Sequence, residues 1–409
     1  MSPRRIWVLT TTRADYGLLY WLLREIGDDP ELELMLAVTG THLSTEFGHT
    51  VEEIERDGFR IHRRMEILLS SDSRSAMTKA MGLAMLACGD ALAEDRPDLL
   101  VMLGDRFEIV PVALAAVVQG LPVVHLHGGE TSRGALDEYF RHAVTKLANV
   151  HFPATEAYRQ RILQMGENPA LTFNYGAPGL DHLYRSESME REALAEALGM
   201  TLDRPTAIVT YHPVTGEADA SVETQIAALL EALESYDDLQ LVFTKANADT
   251  QGREINARLT RWCSAHPERG QLFSNLGQRL YHGCLRHLDL MIGNSSSGLV
   301  EAPSFRLPVV NIGARQEGRL AARNVISVSC DAADIRSGLD RALSPAFRAS
   351  LTGMTNPYDR FNDGGASRRI KETLKTIPLD ETLTKKHFHD VSVDAGNDER
   401  REVICSNQS

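Results

Sequence analysis

The sequence predicts an α/β protein built from two doubly wound parallel-sheet domains. Three observations carry that expectation. Short apolar runs of strand length, such as Leu99-Leu100-Val101-Met102-Leu103, alternate with stretches of helical periodicity. Two such runs end in polar, glycine-containing stretches close together, Gly104-Asp105-Arg106-Phe107-Glu108 and His127-Gly128-Gly129-Glu130. The strand–helix–strand alternation then starts again near Ala207, and 409 residues suit two domains better than one.

In chain order, Ile6 to Thr10 reads as a strand, and Thr11-Thr12-Arg13-Ala14-Asp15 turns into a helix from about Tyr16 to Ile26, with Leu18, Leu19, Leu22, Leu23 and Ile26 at helical spacing. Arg13 sits at the strand-to-helix junction, where helix N–H groups and a guanidinium can jointly hold an anion. The plainer alternative is an ion pair with Asp15 or another surface carboxylate. Leu32 to Thr39 is the next strand. His42 in the turn after it is a ligand contact or a turn histidine, and stays outside the catalytic set. Ala76 to Ala93 reads as a long helix leading through Pro97 into the strand Leu99–Leu103.

Asp105 and Arg106 emerge at the carboxyl end of that strand, where open α/β sheets bind ligands. After a helix from Ile109 to Gln119, the strand Pro122–Leu126 delivers His127 and Glu130 beside them. The helix from Leu136 to Leu147 has Asp137 and Glu138 in its first turn, favoured there by the helix dipole. Arg141 and His142 lie one turn on, so they share a face with those carboxylates. Strands follow at Val150–Phe152 and Leu171–Phe173, with a helix between them, and Gly176–Gly179 reads as the exit from the first domain.

The second unit opens with a strand, Ala207 to Thr210, ending at Tyr211-His212-Pro213. Proline biases His212 to an extended backbone with its ring on the loop side, although a structural histidine fits as well. The most distinctive stretch is Leu290-Met291-Ile292-Gly293-Asn294-Ser295-Ser296-Ser297-Gly298. A strand running into a small-residue loop that opens a helix gathers backbone N–H groups, hydroxyls and a helix dipole at one place, which suits a diphosphate. Glu301, a turn later, would repel a diphosphate and fits better as an acceptor for ribose hydroxyls. Ala314-Arg315-Gln316-Glu317-Gly318-Arg319 follows another strand and brings further cations to the same face.

Composition narrows the partners. A net charge of −13 argues against a large nucleic-acid footprint. Five scattered cysteines, Cys88, Cys263, Cys284, Cys330 and Cys405, have no C-x-x-C pair, so neither a disulfide framework nor a zinc site is expected. The run Ile6–Leu9 is too short for a signal-peptide core, and no stretch approaches the about eighteen apolar residues of a membrane span. The expectation is a soluble cytoplasmic protein with no membrane partner.

These residues resemble the hydrolysing UDP-N-acetylglucosamine 2-epimerases. The resemblance runs in order from about residue 4 to 376 through T-R-A-D-Y, G-D-R-F-E, H-L-H-G-G-E, D-E-Y-F-R-H-A-V-T-K, Y-H-P-V-T, G-N-S-S-S-G-L-V-E-A-P and N-I-G-A-R-Q-E-G-R. It implies a GT-B-like fold, two Rossmann-type domains with the cleft between them. Domains are expected at 1–180 and 181–354, with a helix crossing back over 355–377 and a disordered tail over 378–409. The resemblance implies a UDP-sugar as substrate, no metal or redox cofactor, and a homodimer or homotetramer. It places Asp105 and Asp137 in the acid/base machinery and His212 near the leaving phosphate. Arg106 would lie beside the substrate, with Arg141 and His142 on the same wall. Arg13, Ser295, Ser296, Glu301 and Arg315 would hold UDP, with Asn247 a weaker contact. Some relatives have a catalytic glutamate where His127 stands, so either His127 acts in its place or Glu130 compensates.

The chemistry explains these residue types. The sugar C2 hydrogen is not beside a carbonyl, so it becomes removable only as the C1–diphosphate bond breaks and positive charge develops on the ring. Electrostatic stabilisation of the leaving group comes first. A base then takes the C2 proton to give a glycal, and water adds with the opposite sense at C2. The expected reaction converts UDP-N-acetylglucosamine to N-acetylmannosamine and UDP, for sialic-acid-type sugar biosynthesis. The alternatives are the same reaction on UDP-2,4-diacetamido-2,4,6-trideoxyglucose, or a glycosyltransferase of the same fold.

Overall fold

A computed structural model describes residues 2–71, 73–133, 135–213, 221–246 and 250–390. The first sheet contains β1 (Arg4–Thr10), β2 (Leu32–Thr39), β3 (Ile61–Met65), β4 (Leu99–Leu103), β5 (Val123–Leu126) and β6 (Val150–Phe152), in the order β3-β2-β1-β4-β5-β6. All its pairings are parallel. The second contains β7 (Thr206–Thr210), β8 (Gln240–Thr244), β9 (Gly270–Phe273), β10 (Leu290–Gly293), β11 (Val309–Ile312) and β12 (Val325–Val328), in the order β12-β11-β10-β7-β8-β9. Counted from β7, that is the first order read backwards, so both sheets share one winding. Each reverses direction at its middle, between β1 and β4 and between β7 and β10, where crevices for ligands form. β4 and β7 are buried along their whole length, as helices on both faces require.

Helix Arg13–Gly27 starts on a capping box in which Thr12 and Asp15 bond each other's backbone N–H. It buries Leu19, Leu22, Leu23 and Ile26 in the core of the first domain. The helix Ala366–Thr376 belongs to the same core through Ile370 and Leu374, although it follows the second sheet in the chain. Lys371 and Lys375 pin it to Asp29, with Nζ–Oδ2 distances of 3.0 and 3.1 Å.

Three expectations need correction. Leu171–Phe173 is not a strand: Asn168 and Pro169 start a 3-10 turn there, and only Thr172 bridges to His151. The helix opened by the serines is a single turn, Ser297–Val300, because Pro303 directs the chain into a 3-10 turn at Ala302–Phe305. Residues 378–390, expected to be disordered, pack on the first domain. Leu383 is buried, Phe388 lies against Gly166, and Lys386 meets Glu167 at 2.6 Å.

Glu167 is buried and also takes His151 at 3.0 Å and Lys146 at 2.5 Å. Burial opposes its ionisation, but the His151 hydrogen bond and the two ammonium groups hold its pKa down to about 2. A carboxyl whose folded pKa is depressed adds stability above its unfolded pKa and loses it as pH falls. The tail clip therefore weakens between about pH 4.5 and 2. Glu167→Gln is expected to cost about 1–3 kcal/mol of unfolding free energy at pH 7 in denaturant melts, since it leaves buried His151 and two partly exposed ammonium groups without their shared carboxylate. Wild-type stability at pH 7 would mean that the clip is only superficial.

Candidate active site

The crevice at the β1/β4 reversal holds a compact wall of charges. Asp105 follows β4, and its carboxylate accepts the Arg141 guanidinium and, at 3.1 Å, the Ser132 hydroxyl. Arg141 is 3% exposed and also donates to the His127 carbonyl at 2.8 Å. Read from sequence as a substrate contact, it is engaged here by Asp105 and the His127 carbonyl, while its Nε has no hydrogen-bond partner among the described residues. Arg106 forks onto the buried carboxylate of Glu108 at 2.7 and 3.1 Å. Glu108 was missed from sequence, although it ends the G-D-R-F-E stretch.

His127 adopts a left-handed backbone at φ 61°, uncommon for a side chain of this size. Its Nδ1 lies 2.6 Å from Glu130 Oε1, while its Nε2 is buried with no hydrogen-bond partner among the described residues. Burial disfavours ionised Glu130, but the charge and hydrogen bond of His127, with Arg141 and Arg319, hold it well below the usual carboxylate range. Asp137, at the start of helix Leu136–Leu147, shifts the opposite way. Burial first and the Asp105 carboxylate second raise its pKa, so it keeps its proton to higher pH. His142 bonds Glu138 at 3.3 Å.

The opposite crevice, at the β7/β10 reversal, is lined by cations and backbone donors. Gly293 has φ 128°, and a Cβ there would stand 1.9 Å from the Thr210 carbonyl, so only glycine lets β10 end against β7. The next residue, Asn294, clasps His212: backbone N–H to Oδ1 and Nδ2 to carbonyl are both 2.8 Å. Arg315 donates to the Asn294 carbonyl at 3.0 Å, with no carboxylate partner among the described residues. Because the serine helix is one turn long, its dipole is small. An anion placed here would meet the loop N–H groups and Arg315 rather than a long helix dipole.

A cleft of about 760 Å³ joins the two halves. Arg13, Ser295, Ser296 and Glu301 all line it, so residues read separately from both domains meet. Arg13 pairs with Glu53 at 3.1 Å. Asp15 is unavailable to it, saturated by Thr10, Thr11 and Thr12. Glu301 accepts from His282 at 3.1 Å, which lowers its pKa against the effect of burial. Sequence reading missed the aromatic floor of Tyr16, Tyr20, Trp21 and Tyr281, as well as His182, which accepts from Trp21 Nε1 at 3.0 Å. His42 is fully buried between Thr10 and Thr50 and serves the turn. Asn247 lies outside the described residues. No cluster of metal-ligating side chains occurs among the described residues, and none of their helices is long and apolar enough to cross a membrane.

Fold and site together define a two-domain α/β enzyme with one cation-lined wall and one carboxylate–imidazole wall. Residues 24–375 match the family described as UDP-N-acetylglucosamine 2-epimerase, and the chain belongs to that family. A Campylobacter jejuni protein named GDP/UDP-N,N'-diacetylbacillosamine 2-epimerase (hydrolyzing) is 38% identical over 391 residues, spanning 96% of this chain and 100% of that protein. A Legionella pneumophila protein named UDP-N,N'-diacetylbacillosamine 2-epimerase (hydrolyzing) is 38% identical over 384 residues, 94% of this chain and 98% of its own. The structure of UDP-GlcNAc 2-epimerase from Neisseria meningitidis bound to UDP-GlcNAc superposes with a TM-score of 0.74 at 17% identity, over 90% of this chain and 99% of that one. That likeness shows the GT-B-like fold.

Proposed function

We propose that this protein is a hydrolysing 2-epimerase acting on a nucleoside-diphosphate-linked N,N'-diacetylbacillosamine, the 2,4-diacetamido-2,4,6-trideoxyglucose sugar. The observations that carry the reaction are the carboxylate–imidazole cluster at one sheet's crevice and the His212–Asn294–Arg315 cluster at the other's, joined through the Arg319–Thr131 hydrogen bond. The sugar is supported by the two full-length relatives at 38% identity, whose names specify it. The expected preference for UDP-N-acetylglucosamine gives way to the alternative weighed beside it.

In this reading Arg13, Arg315, His212 and the N–H groups of Ser295 to Ser297 meet the charge growing on the diphosphate. The C1–O bond breaks, a base removes the C2 proton, and a C1=C2 double bond forms as the nucleotide leaves. Water then adds its oxygen to C1 while an acid protonates C2 on the other face, giving the free epimer. Inversion therefore needs two proton-carrying groups. His127, with Nδ1 held by Glu130 and Nε2 left open, suits the base. Asp137, which keeps its proton to higher pH, suits the acid. Asp105 with Arg141 fixes the wall, and Glu301 accepts ribose hydroxyls. A nucleotide-sugar substrate and the free thiols of Cys88, Cys263, Cys284 and Cys330 favour a cytoplasmic setting.

The test is proton NMR in deuterated water with UDP-N,N'-diacetylbacillosamine, its GDP counterpart and UDP-N-acetylglucosamine in parallel. Free nucleotide with the C2-deuterated manno epimer of the diacetamido sugar is expected. Faster turnover of UDP-N-acetylglucosamine would reverse the substrate assignment. Nucleotide release without deuterium at C2 would point to simple hydrolysis or transfer. Asp137→Asn is expected to slow turnover about 10²-fold and let the glycal accumulate. An unchanged glycal level would take the acid role from Asp137.

A further inference from the structure

The loop after β11 bonds to both domains, at Asn294 in the second and Thr131 in the first. Arg315 and Gln316 both donate to the Asn294 carbonyl, at 3.0 and 2.8 Å. Gln316 Oε1 accepts from Arg319 Nη1 at 3.1 Å, and Arg319 Nε crosses to the first domain, to the Thr131 carbonyl at 3.3 Å. Thr131 immediately follows Glu130. Between these bonds Gly318 has φ 81°, and a Cβ there would lie 2.8 Å from Arg133 Nε and 3.0 Å from Thr131 Oγ1, so the two loops are dovetailed. Beyond Arg319, Leu320 N–H donates to the Tyr158 hydroxyl at 2.9 Å, and the Tyr358 hydroxyl donates to the Leu320 carbonyl at 2.9 Å. The two hydroxyls are 2.8 Å apart. Hydrogen bonds therefore run from His212 and Asn294, through Gln316 and Arg319, to the strand end that carries His127 and Glu130.

From this connected seam we infer that Arg319 is a positioning residue that ties the diphosphate corner at Asn294 and Arg315 to the backbone of Thr131, keeping the His127–Glu130 pair in register with the leaving group. The inference rests on the reading in the previous subsection. Two guanidinium nitrogens are already committed to neutral oxygens on either side of the seam, as a tie requires. Its charge also bears on Glu130, which is faced in addition by His127, Arg141 and Tyr158. Without Arg319, Glu130 takes up its proton at a higher pH.

The experiment compares Arg319→Gln, Arg319→Lys and Tyr158→Phe with wild type, measuring kcat, KM, UDP affinity by calorimetry, thermal midpoint and the pH profile of kcat. Arg319→Gln is expected to lose about 30-fold or more in kcat, with KM and the UDP Kd within about threefold, and to move the acidic limb of the profile upward. Arg319→Lys, which keeps the charge, is expected to recover about a third or more of the lost rate. A kcat within threefold of wild type would overturn the inference. So would a UDP Kd weakened tenfold in step with KM, which would make Arg319 a diphosphate ligand. Should Arg319→Gln fail to fold, Tyr158→Phe carries the test: it cuts the same seam without touching charge and is expected to lower kcat about fivefold at unchanged UDP affinity. An unchanged kcat there overturns the tie. A wild type that releases nucleotide from none of the three sugars defeats the functional reading and this inference together. Wild-type turnover with Arg319→Gln unaffected defeats this inference alone.

Discussion

Asp105→Asn is expected to lower kcat by about 10³-fold while leaving the UDP Kd within about threefold. The asymmetry follows from the division of the proposed roles between the two domains. Asp105 belongs to the carboxylate–imidazole wall, whereas the residues assigned to UDP, apart from Arg13, come from the second domain. The amide keeps the shape of the carboxylate but removes the nearer of the two carboxylates facing Arg141, which is 3% exposed; Glu130 Oε2 remains at 3.8 Å. Losing one of the guanidinium's two carboxylate partners costs about 1–3 kcal/mol, which a denaturant melt reads directly. Because Arg141 also holds the His127 carbonyl, the disturbance reaches the proposed base. The pH profile gives a third readout with a definite sign. Asp105 is one of the groups raising the Asp137 pKa, so its neutralisation lets that pKa fall and moves the basic limb of the profile to lower pH. A rate within tenfold of wild type would remove Asp105 from the machinery.

His127→Ala is expected to cost about 10³-fold in kcat, and Glu130→Gln about 10- to 10²-fold. The difference measures what each does. In the proposed mechanism the imidazole carries the proton, whereas Glu130 fixes its tautomer and orientation through Nδ1, which leaves Nε2 as the acceptor. Added imidazole is expected to restore part of the His127→Ala rate and none of the Glu130→Gln rate. Deuterium incorporation at C2 should fall in step with turnover in both. If Glu130→Gln proved as damaging as His127→Ala and imidazole rescued neither, the carboxylate itself would be the proton carrier.

Much of the frame was legible because buried parallel strands are continuous apolar runs, as at Leu99–Leu103, and because polar residues at their carboxyl ends fall at the crevices by topology alone. Thus Asp105, His127, His212 and Asn294 could be placed at strand ends without coordinates. What stayed hidden depends on contacts between distant segments. Nothing local marks Arg141 as buried, since its neighbours Glu138 and His142 are polar; its partner Asp105 lies 36 residues away. Leu383 and Phe388 are isolated apolar residues with no periodicity, so their packing on the first domain left no pattern to read. Tyr20 and Trp21 sit on a helix whose spacing announced a core, yet they line the cleft. The single-turn serine helix was misjudged because Pro303, six residues beyond Ser297, was not weighed as a stop.

The return of the chain to the first domain has a mechanical consequence. The polypeptide leaves that domain near Pro178–Asp181 and comes back ahead of the helix Ala366–Thr376, which is anchored to Asp29 and followed by the Lys386–Glu167 clip. Two covalent crossings act like two hinges on one door: sliding and twisting are resisted, and rotation about the line joining them is the soft direction. The Arg319–Thr131 and Tyr158–Leu320 bonds lie off the covalent crossings, where a latch would sit. In the proposed reaction, substrate entry and product escape would be the same swing run in opposite directions.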